Sequence, residues 1–417
     1  MDPAQNSQTP SQQFPSQEPI ENHSHKGKWF LAACGLVVAV LIGVGMYLWQ
    51  QDDTADSKTP TQASDAPETD STEVPKLKTE VLLDGRTKVW DMGFLPSGQM
   101  LFTEKAGTLS VLEDGSARTV AAISDVASQG EGGLLGMAID PKFTENRHIY
   151  TCFNTSSDIR VVRWVLDQNV SSLGSRKDIV TGMPRNVSGR HSGCRLAFGT
   201  DGYLWIGTGD TAQDITPQTP QDPKSLGGKI LRVDRNGQAA AGNLTGNFDR
   251  RIYSYGHRNT QGIAFFDKPI NGVPGISVEH GSSVDDEVNL LKPGNFGWAP
   301  ADGEYDETDV PMTDSERFPD AVRAIWASGD PTQAPSGAAM VYGSKWKAWN
   351  GAIAVAVLKD THLKFLTIDD KLAVTKEDRV FEGEFGRLRM ARLGSDGALY
   401  LSTDNGADDK IIKVTPQ

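Results

Sequence analysis

Three segments of this chain read as copies of one unit: MGFLPSGQMLFTEKAG (92–107), LAFGTDGYLWIGTGD (196–210) and ARLGSDGALYLSTDNG (391–406). Each is an apolar strand, a Pro/Asp/Ser-Gly turn, and a second alternating strand that ends near a threonine and an acid. The turn glycines Gly98, Gly202 and Gly397 are 104 and 195 residues apart, close to two and four multiples of a period near 50. A weaker unit, LGMAIDPKFTENRHIYTCF (135–153), falls about one period after the first. A period of about 50 residues with several strands per unit is the signature of a β-propeller.

The rest of the body agrees. Helical periodicity is nearly absent, and short alternating runs are separated by Gly, Pro, Asn and Asp, which argues for an all-β fold. Six units of this period need about 300 residues, which residues 76–417 hold with some longer loops. A pair of β-sandwiches is the alternative, but it has no reason to keep turn signals in phase over such a length. The long segments 211–228 and 299–335 are expected to lie on one face of the propeller.

The N-terminal part is different in kind. Residues 1–28 are rich in Gln, Ser, Pro and Asn and read as a disordered tail. Residues 29–49, WFLAACGLVVAVLIGVGMYLW, are 21 consecutive uncharged residues, enough for a helix to cross a hydrocarbon core of about 30 Å. Trp29, Tyr47 and Trp49 match the interfacial aromatic belts, and Lys26 and Lys28 precede the span while Asp52 and Asp53 follow it. The positive-inside rule then predicts a single-pass cell-membrane anchor with a cytoplasmic N-terminus and an extracytoplasmic body. A cleaved signal peptide is the rival reading, but the run is long for one and no small-residue cleavage site precedes the linker. LAAC (31–34) looks like a lipoprotein box, yet the apolar run continues beyond Cys34. Residues 50–75 read as an acidic Thr/Ser/Pro linker.

Charge excludes one class of partner. The net charge is −13, of which the stretch from Gln51 to Pro75 contributes seven acids against Lys58. The remainder is mildly acidic with no basic stripe, so nucleic-acid binding has no electrostatic support. Zinc-spaced His/Cys clusters, a dinucleotide glycine fingerprint, a Walker loop and a G-x-S-x-G elbow are all absent. Outside the span, Cys152 and Cys194 could form one disulfide.

Candidate site residues lie at strand edges. His191 precedes a predicted strand at 196–198, and Asp210 follows its hairpin partner at 203–207, so both are expected at one rim. A histidine oriented by a carboxylate is the basic unit of general-base chemistry. Tyr255–Gly262, YGHRNTQG, sets Arg258 and Asn259 before an apolar strand, and Arg258 offers a planar fork for carboxylates or a flat anion. Arg387 and Arg389, two apart on a strand, share a face and call for an anion or several acceptors between them. Arg392 is expected to point elsewhere. In GEGGLLGMAIDP (130–141) Glu131 could face the channel, and the acids and glycine of EHGSSVDDEVNLLKPGNFGW (279–298) could offer oxygen ligands to Ca²⁺.

Taken in order, WDMGFLPSGQMLFTEKAG, GEGGLLGMAIDPKF, HSGCRLAFGTDGYLWIGTGD, YGHRNTQGIAF, EHGSSVDDEVNLLKPGNFGW, APSGAAMVYG and GRLRMARLGSDGALYLSTD make the chain resemble the pyrroloquinoline-quinone (PQQ) dependent aldose sugar dehydrogenases, the glucose/sorbosone dehydrogenase family, over roughly residues 85–415. The resemblance implies a six-bladed β-propeller that oxidises the C1 hydroxyl of an aldose to the lactone, with PQQ and Ca²⁺ as cofactors and a quinone or other electron acceptor as partner. It implies His191 as the general base, Asp210 as its orienting acid, and Arg258 and Asn259 as groups at the quinone. It further implies Arg387 and Arg389 on the PQQ carboxylates, and the carbonyls of Gly281 and Ser282 on Ca²⁺. Three positions depart from the family pattern. Glu131, a substrate-contact position, replaces a glutamine; Arg190 stands where some members carry an aspartate; and the PQQ-contacting lysine that follows a tyrosine has no counterpart, since Gly343 follows Tyr342. Lys345 is the nearest substitute. The rival functions are a non-catalytic extracellular propeller that binds glycans or proteins, and a metal-dependent lactonase, for which converging carboxylates are lacking.

Overall fold

The computed structural model describes residues 72–213, 219–300 and 305–417. The expected membrane span 29–49 and the tail 1–28 lie outside these residues, and no helix among the described residues is long and apolar enough to cross a membrane.

Six sheets succeed one another along the chain. Blades 1, 2 and 3 are built on 89–122, 134–183 and 193–255, and blades 4, 5 and 6 on 260–327, 335–380 and 388–416. Blade 6 is completed from the other end of the body. Leu77–Arg86 pairs antiparallel with Asp409–Pro416, with Leu77 opposite Pro416 and Arg86 opposite Asp409. That strand covers a sheet edge that would otherwise present unpaired backbone groups.

Gly98, Gly202 and Gly397 occupy the same turn, between the first and second strands of blades 1, 3 and 6. The 195 residues between the last two therefore span three blades, not the four expected from a constant period. The excess lies in the excursion between Leu290 and Trp326, which leaves blade 4 and adds Gly294–Asn295 to blade 3, parallel to Ser254 and Tyr255.

Burial follows from position within a blade. The innermost strands Val89–Phe94, Leu134–Ile139 and Gly193–Phe198 are almost wholly buried because neighbouring blades cover both faces. Outer strands such as Val374–Val380 alternate or are exposed. Apolar clusters seal every junction of the ring. Leu109 and Met137 share a cluster between blades 1 and 2, Cys152 and Ile206 one between 2 and 3, and Trp205 and Ile263 one between 3 and 4. Val278 with Val355, Phe365 with Leu401, and Met390 with Phe102 complete the circle. Each such side chain contributes roughly 1.5–3 kcal/mol by burial, so the ring is held at its junctions rather than by one central core.

The axis itself is polar and closed. Arg195, 1% exposed, reaches from blade 3 to Asp91 of blade 1 at 2.9 Å and to the carbonyl of Gln261 in blade 4 at 2.6 Å. Arg392 points away from the Arg387/Arg389 pair and completes this layer, 2.9 Å from Asp91. Beyond it, at the mouth formed by the turns, lies a cavity of about 530 Å³ lined by Met92, Met137, Phe198, Ile263, Phe265 and Met340 among others. This mostly apolar hollow carries no candidate residue. Asp267, Tyr342 and Arg392 reach its wall, but the candidate site residues converge at the opposite mouth.

Candidate functional site

Strand direction decides which residues meet. Each first strand runs from one mouth to its turn and each second strand returns, so residues before the first and after the second strand share the far mouth. His191 and Asp210 hold these positions around Gly193–Phe198 and Leu204–Thr208. The two stretches approach so closely that a Cβ on Gly209 would fall 1.9 Å from the His191 carbonyl oxygen. His191, Gly193 and Cys194 all have positive φ, a left-handed excursion that lifts the imidazole over the strand end. Cys194 is disulfide-bonded to Cys152 of blade 2, which ties this segment to the neighbouring blade.

The imidazole and carboxylate are paired. His191 Nδ1 lies 2.7 Å from Asp210 Oδ1, and both groups are buried. The Asp210 carboxylate also accepts the Ala212 N–H at 2.9 Å, the Trp298 indole N–H at 2.7 Å and the Tyr305 hydroxyl at 3.0 Å. Burial alone pushes this carboxyl up, but His191, Arg258 and the Trp298 hydrogen bond outweigh it and hold its pKa below the ordinary value. With Nδ1–H donated to Asp210, the imidazole keeps Nε2 as its basic atom.

Arg258 arrives from the start of blade 4. Its carbonyl accepts the Asp210 N–H at 2.8 Å, and its own N–H is taken by buried Glu279 at 2.8 Å. The guanidinium lies 5.5 Å from the Trp298 ring centroid, donates to the His280 carbonyl at 3.0 Å, and donates twice to Glu307 at 2.8 and 3.2 Å. Glu307 also receives Arg190 at 2.6 Å, and its Oε2 lies 3.0 Å from the Tyr305 hydroxyl, whose single proton it shares with Asp210. Burial opposes the charge on Arg258, but Glu307, Tyr305 and Asp210 raise its pKa overall. Asn259 is equally committed. Its oxygen accepts Gly193 N–H at 3.1 Å and Gln261 at 3.0 Å, while its amide donates to Glu131 at 3.0 Å.

The arginine pair stands around an acid of its own chain. Arg389 makes a two-pronged contact with Asp404, and Arg387 Nε donates to the Asp404 carbonyl at 3.1 Å. Arg389 also reaches Gln261 at 3.2 Å and so joins the Asn259 network. The anion demanded by two adjacent guanidinium groups is thus partly supplied from within.

One expected residue is elsewhere. Lys345 is exposed on the 3₁₀ turn Ser344–Trp349 between the first and second strands of blade 5, and neighbouring Trp346 donates to the Gly397 carbonyl in the turn of blade 6. That is the cavity mouth, so the structure does not bring Lys345 to the cluster. Sequence reasoning also missed partners. Tyr305 and Glu307 lie in the 299–335 segment, whose expected placement on one face was the available signal. Trp298 and Asp404 sit inside quoted motifs, but nothing in their spacing marked them as partners.

Two features bear on what this mouth could hold. His280 Nε2 is buried without a hydrogen-bond partner, and burial, with Arg389 and Arg258 nearby, holds its ring well below the usual histidine pKa. A neutral ring with an unused nitrogen, a fixed guanidinium plane and the Arg387/Arg389 pair suit a flat anion rich in oxygens. For a cation, the donors on hand are main-chain oxygens. Gly281 donates its N–H to Asp286 at 2.9 Å in a turn so tight that a Cβ would lie 2.0 Å from the Val284 carbonyl oxygen. Among the described residues no three His, Cys, Asp or Glu side chains gather to hold a metal. The carbonyls of Gly281 and Ser282 are chemically suitable for a hard cation, but they make an incomplete set without oxygens from a ligand.

Comparison with known proteins gives a consistent picture. The family described as Glucose / Sorbosone dehydrogenase matches residues 86–413. The chain is 30% identical over 410 residues to an uncharacterized protein of Synechocystis, covering 90% of this chain and 93% of that one. It is 29% identical over 356 residues to an aldose sugar dehydrogenase of Escherichia coli, covering 82% and 93%. Its structure matches the PQQ-bound form of aldose sugar dehydrogenase from Streptomyces coelicolor with a TM-score of 0.67 and 30% identity, over 82% of this chain and 100% of that chain.

Proposed function

The chain belongs to the glucose/sorbosone dehydrogenase family, and from that premise we propose that it oxidises the C1 hydroxyl of an aldose to the lactone. The observation that carries this reading is the His191–Asp210 pair at 2.7 Å, opening on the mouth where Arg258 is held rigid. His191 Nε2 would take the hydroxyl proton as C1 gives up a hydride. Asp210 would hold Nδ1–H in place and stabilise the imidazolium that forms. PQQ, when bound, supplies the ortho-quinone that accepts the two electrons as hydride. Arg258 would present a positive charge where oxygen becomes anionic, a preorganised electrostatic role. Asn259 would add an amide donor, Arg387 and Arg389 would hold carboxylates, and Glu131 would lie on the sugar side. The carbonyls of Gly281 and Ser282 would hold Ca²⁺ together with ligand oxygens, giving Lewis-acid polarisation.

The apolar run at 29–49 and the Cys152–Cys194 disulfide support an anchored enzyme working on the oxidising side of a membrane and passing electrons to a quinone or similar acceptor. The test uses the purified full-length chain with PQQ and Ca²⁺, a panel of aldoses and an artificial electron acceptor. Turnover with lactone formation is expected. No turnover on any sugar, together with no PQQ binding, would overturn the proposal.

A further inference from the structure

A lysine within the segment 92–107, to which the resemblance gives no role, enters this mouth from blade 1. Lys105 sits on the connection between the second and third strands, Met100–Glu104 and Thr108–Glu113. By the strand-direction argument this connection belongs to the mouth of His191, not to the turn mouth of Lys345. Backbone pairing fixes its stem. Lys105 N–H donates to the Lys88 carbonyl at 3.1 Å, and its own carbonyl accepts Leu134 N–H at 2.9 Å. Gly133 packs against that carbonyl so tightly that a Cβ there would lie 2.2 Å away. The ammonium group donates to the Gly130 carbonyl, next to Glu131, whose carboxylate binds Asn259.

The electrostatic neighbours of the Lys105 ammonium are Lys88, Arg389, Asp404 and Glu131. Two of these are the acid and one of the arginines of the Arg387/Arg389 cluster. An ammonium has three donors, and among the described residues only the Gly130 carbonyl takes one. Half-burial and the two like charges lower its pKa, while Asp404 and Glu131 act in the opposite sense. The two acids offset the two like charges, but the donors left over on the ammonium remain open to a further acceptor at this mouth.

We propose that Lys105 is a ligand-binding residue of this site, closing a cationic set with Arg387 and Arg389 around a carboxylate of the bound anionic cofactor. It would take the part for which Lys345 stood in the sequence. This rests on the PQQ reading above, and the experiment separates the two. Full-length apo-protein, as wild type and as Lys105→Gln, Lys105→Arg and Lys345→Gln, is titrated with PQQ by its absorbance change at several salt concentrations. One charge-assisted hydrogen bond corresponds to a loss of roughly 10- to 100-fold in affinity. Lys105→Gln should show that loss with a weaker dependence on salt. Lys105→Arg should stay within about threefold of wild type, and Lys345→Gln should match it. Equal affinity for wild type and Lys105→Gln overturns the inference. Equal losses for the Gln and Arg variants with an unchanged salt dependence also overturn it, since that marks loop support rather than charge. A wild type that binds no PQQ refutes the underlying functional reading instead.

Discussion

Replacing Asp210 by Asn is the sharpest perturbation of the site, because it keeps the shape and removes the charge. The carboxylate accepts two donors on each oxygen: His191 and Ala212 on one, Trp298 and Tyr305 on the other. An amide has only one accepting oxygen. If that oxygen faces His191, the Trp298 indole N–H opposes an NH₂ group. If it faces Trp298, the NH₂ donates to His191 Nδ1 and forces the proton onto Nε2, where a base cannot carry it. Either orientation orphans one buried donor, a destabilisation of about 1–3 kcal/mol. The kinetic effect is larger. Opposite charges about 4 Å apart at an effective dielectric near 20 attract by about 4 kcal/mol. Losing that support for the imidazolium slows the chemical step by about three decades. The assay is stopped-flow reduction of the PQQ-loaded protein by an aldose, with thermal melting run in parallel. A folded, PQQ-loaded Asp210→Asn protein reacting within about tenfold of wild type would refute the mechanism. The pH dependence carries a matching sign. The folded pKa of Asp210 is depressed, so its stabilisation is present above the unfolded carboxyl value and is lost as pH falls through the folded value. The Asn variant should lack that part of the acid transition.

Four further outcomes are expected. Reducing the Cys152–Cys194 bond, which closes a loop of sequence separation 42, should lower unfolding free energy by about 4 kcal/mol, and a melting temperature indifferent to reductant contradicts this. Asp91→Asn strips the partner from buried Arg195 and should cost about 3–5 kcal/mol in denaturant unfolding; a loss under 1 kcal/mol would show that Gln261 suffices. Burial and then Glu279 raise the pKa of Glu287, so its stability contribution is full below the unfolded carboxyl value and declines as pH rises towards the folded one. Glu287→Gln should therefore flatten the fall in melting temperature between the unfolded carboxyl value and pH about 8, and an unchanged profile counts against it. Glu307→Gln removes the acid that occupies Arg258 and should tighten PQQ binding several-fold, whereas weaker binding would assign Glu307 to support instead.

Strand edges were legible because their signals are local. The turn glycines marked the first hairpin of blades 1, 3 and 6, and His191 and Asp210 followed from which end of a hairpin they occupied. The blade count between Gly202 and Gly397 misled because the Leu290–Trp326 excursion carries no period. Lys345 misled for a related reason: nearness in sequence to Tyr342 says nothing about which mouth a turn faces. Glu307, by contrast, reaches Arg258 across 49 residues, through a pairing no local pattern encodes.

By itself, the sequence determined the all-β repeat, its turns, the types of residue at strand edges and the family, because alternation and turn chemistry act over a few neighbouring residues. Only the tertiary structure decided that Lys105 rather than Lys345 shares a mouth with Arg389, that Asp404 already engages Arg387 and Arg389 while Glu307 engages Arg258, and that Cys194 ties the base to blade 2. Those are matters of which mouth each loop reaches. That is set by closure of the ring, through pairings such as Leu77 with Pro416 between opposite ends of the body, and no stretch of local sequence contains it.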